Sequence, residues 1–161
     1  MKKVTFIFII EIIFSIAFII DSYAEVRCQP YARSNNYAHC YDLKTIQYSG
    51  KRFVKVLIKA TAVTDNGRET KINTMNKRGL STAGYENYLY TYELVEIDCK
   101  ERKIRTWLFS DHDSKGKTLN TVIQPKEVME KWFSIPPHTT VGLLYEAVCP
   151  LKMVRALGGS F

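Results

Sequence analysis

Catalytic and metal-binding chemistry is scarce in this sequence. The three histidines, His39, His112 and His138, are scattered and sit beside turn residues, and neither a C-x-x-C nor an H-x-x-x-H pair occurs. A structural zinc or a shared metal site therefore has no ligand set to build on. Gly79-Leu80-Ser81-Thr82-Ala83 comes close to a nucleophile elbow, but it ends in alanine and follows no predicted strand. Gly79 to Gly84 has phosphate-loop spacing, with Tyr85-Glu86 where lysine and a hydroxyl residue are needed. Asp111-His112-Asp113-Ser114-Lys115-Gly116 opens like a calcium loop, yet Lys115 stands where an oxygen ligand belongs and Val122 replaces the closing glutamate. A hairpin turn fits those residues better. Glu93 and Glu96 alternate to opposite faces of a strand and make no acid/base pair. These absences predict a protein that is not an enzyme and holds neither cofactor nor metal.

Acidic residues are also in short supply. Asp and Glu number 16 against 23 Lys and Arg, a net charge of +7 that favours acidic partners or anionic surfaces. Nucleic acid is a poor match, because no recognition motif accompanies the charge. The one long apolar run is N-terminal. Lys2-Lys3 precede Val4–Ile20, and Ser22-Tyr23-Ala24 supplies small residues at a cleavage site, so residues 1–24 read as a signal peptide cleaved after Ala24. The run is short for a bilayer span and carries Glu11, which speaks against an uncleaved anchor and for an exported chain that does not span the membrane. Glu25-Val26-Arg27 ahead of Cys28 makes no lipid-attachment site.

Four cysteines in a small exported domain predict two disulfides. Three pairings exist. Cys28–Cys40 and Cys99–Cys149 are favoured because each pair falls on elements that can meet. Residues 25–50 read as two short strands around Arg33-Ser34-Asn35-Asn36, with Cys28 and Cys40 as a cross-strand clamp. Lys51–Val63 alternates as a strand, with Val54, Val56, Ile58, Ala60 and Ala62 on one face and Phe53, Lys55, Leu57 and Lys59 on the other. Asp65-Asn66-Gly67 has hairpin-turn chemistry, and residues 68–86 show no period and read as an irregular loop. Asn87–Cys99 is the next strand, placing Val95, Ile97 and Cys99 on one face and Tyr88, Tyr90, Tyr92 and Leu94 on the other. Ile104–Ser110 and Thr118–Ile123 complete a meander. After Pro125 comes a short helical stretch with Val128, Met129, Trp132 and Phe133 on one side. A helix capped by Thr139 or Thr140 follows, with Val141, Leu144, Tyr145 and Val148 on its apolar face and Cys149 at the end of that face. The expected fold is α+β: an antiparallel meander of about six strands over 25–150, with a C-terminal helix tethered to one face by a disulfide. Leu151–Phe161 reads as a flexible tail.

Tyr41-Asp42-Leu43-Lys44-Thr45-Ile46, Tyr92–Cys99, Arg105, the turn Asp113–Lys117 and Ile135-Pro136-Pro137 leading to Tyr145–Cys149 together resemble the surface-adhesin protein E family. The resemblance covers roughly Tyr41 to Cys149. It implies a six-stranded antiparallel sheet with a disulfide-clamped C-terminal helix, and an adhesin of Gram-negative bacteria that binds host matrix or plasma proteins. A periplasmic structural or accessory subunit, or an inhibitor that binds another envelope protein, is the alternative, and a homodimer through a strand edge stays open.

Two groups of residues are candidates for binding. One is the tyrosine row Tyr88, Tyr90 and Tyr92, since tyrosine supplies contact area with a polar tip. The other is basic: Lys100, Arg102, Lys103 and Arg105 near one turn, with Lys55 and Lys59 on a neighbouring strand. Both have a plainer reading, as tyrosines that suit a strand and lysines that guard a sheet edge.

Overall fold

The computed structural model describes residues 28–149. The signal peptide expected over residues 1–24 and the tail expected over 151–161 lie outside the described residues. Eight strands form one antiparallel sheet: β1 (Cys28–Arg33), β2 (Tyr37–Asp42), β3 (Gln47–Ser49), β4 (Phe53–Ala62), β5 (Tyr88–Asp98), β6 (Lys103–Asp113), β7 (Thr118–Ile123) and β8 (Phe133–Ser134). The main order is β1-β2-β4-β5-β6-β7, so the expected six-stranded meander is present. Two short strands that the sequence pattern does not reveal extend it, β3 beside β4 and β8 beside β6.

Turn chemistry fixes the register. At the β5–β6 hairpin the Asp98 carboxylate accepts from the N–H groups of Lys100 and Glu101, both at 3.0 Å. At the β6–β7 hairpin Asp113 accepts from Lys115 and Lys117, both at 2.8 Å, and Gly116 supplies a φ of 80°. Asp111–Gly116 is thus the hairpin that its composition suggests.

One face of the sheet is covered. Val54, Val56, Ile58, Val95, Ile97 and Cys99 point to it and are buried under the C-terminal helix, α3 (Thr140–Val148); the short helix after Pro125 is α2 (Lys126–Met129). Leu144, Tyr145 and Val148 supply the helical side of this core, and disulfides join Cys99 to Cys149 and Cys28 to Cys40. Thr139 caps α3 by accepting from the Gly142 N–H at 3.0 Å.

Two expectations need correction. Residues 65–77 are neither a hairpin turn nor a loop but a 13-residue helix, α1 (Asp65–Lys77). Thr64 caps it, and Asp65-Asn66-Gly67 forms its first turn: turn residues and helix-start residues share one chemistry. Of its residues only Gly67 and Met75 are buried, so no apolar period marks it. It lies on the covered face, where Met75 packs with Tyr85 and Tyr88 in a second, smaller cluster. The helical stretch after Pro125 is likewise shorter than expected. α2 spans four residues, and Trp132 and Phe133 part company beyond it: Phe133 pairs with Ile104, whereas Trp132 stacks on Phe53.

The open sheet face as candidate functional site

α1 and α3 both pack on one side of β4, β5 and β6. On the opposite face, among the described residues, the end of α2 and the residues after it reach only the lower end, where Arg105 donates to the Met129 carbonyl at 3.3 Å and Trp132 stacks on Phe53. Strand alternation decides which side chains stand there, and register lines them up in rungs across the sheet. The central rung is apolar. Leu57 pairs with Leu94, Leu94 with Leu108, and Leu108 with Ile123. The three leucines are half-buried and Ile123 is 71% exposed.

Cations and aromatic rings flank this row on both sides. Above it, Lys59 pairs with Tyr92, which pairs with Ser110. The Lys59 ammonium lies 4.0 Å from the Tyr90 ring centre, and His112 stacks on the other side of the same cluster at 4.9 Å from Tyr90. Burial lowers the Lys59 pKa, because the desolvated ammonium has no carboxylate within ion-pair distance among the described residues. Burial also raises the pKa values of Tyr90 and Tyr92. Below the row, Lys55 lies 4.0 Å above the Trp107 ring. Arg105 is inserted between Trp107 and Trp132, at 5.0 and 4.5 Å from their ring centres. Glu96 accepts from Arg105 Nε at 2.6 Å and from the Trp107 indole at 3.3 Å. A bulge between Leu94 and Val95 in the β5–β6 register lets Trp107 and Leu108 both serve this face.

The candidate residues from the sequence are thus redistributed. Lys55, Lys59, Tyr90, Tyr92 and Arg105 come together on the open face. Lys103 lies at its lower end by register, and Lys100 is exposed in the hairpin turn. Tyr88 does not belong to the row. A register shift between Tyr88 and Tyr90 turns it to the covered face, where it is 3% exposed and its hydroxyl bonds Thr91 at 2.9 Å. Arg102 also leaves the basic group. It takes a φ of 50°, packs 4.4 Å over the Tyr145 ring and donates to the Ile135 carbonyl, so it fastens the α3 side of the molecule. Strand alternation places Leu57 and Leu94 outside the core, a signal of the apolar row, but the pairing that completes it with Leu108 and Ile123 appears only in the fold.

This face is lined by apolar, aromatic and basic side chains. A cleft of about 250 Å³ lies at its lower end among Gln47–Ser49, Lys55 and Glu96. Among the described residues no three His, Cys, Asp or Glu side chains gather to hold a metal ion. A larger hollow of about 360 Å³ lies at the start of α1, where Arg68 is already engaged by Asp65 and the Glu86 carbonyl.

The sheet, its tethered helix and the match of the surface-adhesin protein E family model to residues 29–150 agree. The chain belongs to the surface-adhesin protein E family. No curated protein and no solved structure matches it. Membership implies an adhesin-like surface or exported protein that binds rather than catalyses. No helix among the described residues is long and apolar enough to cross a membrane.

Proposed function

We propose that this chain is an exported, non-catalytic binding protein of the bacterial cell envelope, and that it docks host matrix or plasma proteins through the open face of its sheet. The observation that carries this reading is the asymmetry of the sheet: α1 and α3 pack on one face, while the other presents an apolar row bordered by aromatic rings and cations. An apolar centre with a polar, aromatic-rich rim is the anatomy of a protein-docking surface.

The test is binding of the purified protein to immobilised matrix and plasma proteins, comparing wild type with Tyr92→Ser/Leu94→Ser. A loss of tenfold or more in affinity with an unchanged unfolding midpoint supports the face as the interface. Undiminished binding of the variant moves the interface elsewhere. Protease shaving of intact cells checks the location. Digestion of the chain from intact cells fits a surface adhesin, and protection until the outer membrane is opened assigns the face to a periplasmic partner instead.

A further inference from the structure

The open face carries more than a docking area; its dimensions and charge select a shape. The apolar row crosses four strands. Three inter-strand steps of roughly 4.8 Å make it about 14 Å long, the rise of about nine residues of α-helix. Lys55 and Lys59 stand four residues apart on β4, which puts the cations bordering the row about 13 Å apart along the strand. A helix with its side chains is about 10–12 Å across and fits between them.

We propose that the open face receives an amphipathic helix of the partner protein, its apolar stripe on Leu57, Leu94, Leu108 and Ile123 and carboxylates on its two shoulders meeting Lys59 on one side and Lys55 on the other. This rests on the reading of the face as the docking surface and adds the chemistry of what docks. Three observations carry it. The row is apolar from edge to edge, with Ile123 the most exposed large apolar residue on that face. Lys55 and Lys59 have no carboxylate within ion-pair distance among the described residues and rest on ring faces instead. Glu96, opposite Lys55 in the lower border, is taken up by Arg105 and Trp107.

Charge complementarity also decides against nearer occupants. A second copy packed face to face sets the unpaired Lys55 and Lys59 against the lysines of its partner. The chain's own last residues, Leu151 to Phe161, contain Lys152 and Arg155 and no acid, and so meet the same repulsion. An anionic glycan satisfies the lysines but leaves the apolar row without a partner. A helix with an apolar stripe and acidic shoulders satisfies both.

The probes are two synthetic helical peptides with leucine at i, i+3, i+4 and i+7, one with glutamates and one with lysines on both shoulders, and a heparin oligosaccharide. Amide shifts of the isotope-labelled protein report the site. The acidic peptide is expected to move the signals of Leu57, Leu94, Leu108 and Ile123, and the basic peptide to leave them in place. Lys55→Glu/Lys59→Glu is expected to weaken the acidic peptide at least tenfold and to admit the basic one. Leu94→Ser is expected to lose the acidic peptide while amides under α3 keep their positions. Equal binding of both peptides, no binding of either, or heparin acting at this row where the acidic peptide does not, overturns the proposal. If matrix-protein binding is meanwhile still lost in Tyr92→Ser/Leu94→Ser, the docking face stands and only the helix falls.

Discussion

α3 and α1 cover the same face of one sheet, and they are held there by different forces. α3 buries Leu144, Tyr145 and Val148 in the main core and is joined through Cys149 to Cys99 at the end of β5. α1 contributes Met75 and the partly buried Ile72, and its central anchor is an ion: Lys71 Nζ meets Asp111 at 2.7 Å. Asp111 is 0% exposed and is completed by the Tyr85 hydroxyl at 2.7 Å and the Thr91 hydroxyl at 2.5 Å. Both helices nevertheless begin alike. Thr64 and Thr139 each accept from the N–H three residues on, at Gly67 and Gly142. Glycine is required at both, because a Cβ would come within 2.6 Å of the Asn36 carbonyl oxygen or 2.7 Å of that of Pro136. Identical starts with opposite anchors show that a cap decides where a helix begins and leaves open what keeps it in place. The apolar helix carries its charged contact, Arg102 over Tyr145, at a partly exposed margin, whereas the polar one depends on a buried network in which every member must stay satisfied.

The largest effect expected from breaking this contrast is on α3. Replacing both Cys99 and Cys149 by serine opens a cross-link spanning 50 residues and should cost about 4 kcal/mol in urea unfolding. A loss below about 1 kcal/mol would show that the apolar face alone fastens the helix, a value at the bottom of the range for disulfides. Asp111→Ala attacks the other anchor. It leaves the Lys71 ammonium under-solvated and unpaired, at a cost of about 3 kcal/mol. Hydrogen exchange should locate that cost, with α1 amides opening well before those of α3. Simultaneous opening of both helices would mean that the two anchors are one cooperative unit and the contrast is false.

The same contrast explains what the sequence made legible. α3 announces itself, since Val141, Leu144, Tyr145 and Val148 recur at helical spacing and Cys149 falls on the same face. The sheet is legible for the same reason: Val54, Val56 and Ile58, and Val95 and Ile97, alternate with period two. α1 is not, because its stability resides in Lys71–Asp111, a contact between residues 40 apart, and a polar segment gives pattern analysis nothing to count. The tyrosine row fails at one point for a related reason. Alternation assumes an unbroken pleat, and the register shift after Tyr88 breaks it, sending Tyr88 to Met75 and Tyr85 while Tyr90 and Tyr92 stay outside. The open-face row is half legible: Leu57 and Leu94 stand out of phase with the core, but Leu108 reaches them only through the β5–β6 bulge.

A smaller effect sharpens the comparison at the shared feature. Thr64→Ala and Thr139→Ala each remove one cap, for about 1 kcal/mol apiece. With equal caps, the difference between the variants reports the anchors. α1, held at Lys71 in its second turn and Met75 near its end, should fray at its first turn, seen as faster exchange there. α3 has its cross-link at the far end, so its loss should appear in the global unfolding midpoint. Identical local fraying in both would show that the anchors do not reach the helix starts.

The smallest effect concerns sign. Glu93 points to the covered face beside this network, and burial raises its pKa; Lys71 opposes the shift and Asp111 adds to it. A carboxyl whose pKa is higher folded than unfolded binds its proton more tightly in the native state. Its contribution to stability is full below the ordinary carboxylate range and is lost as pH rises through that range to the folded value. Glu93→Gln carries no such penalty. The variant should therefore be more stable than wild type at pH 7, and the difference should vanish as the pH falls below the ordinary carboxylate range. Urea midpoints of the two proteins at both ends of that range decide it. The opposite sign at pH 7 would mean that the attraction of Lys71 outweighs the burial of Glu93, making the anchor of α1 a three-charge cluster; the gain predicted for the Gln variant requires that burial and Asp111 together outweigh Lys71.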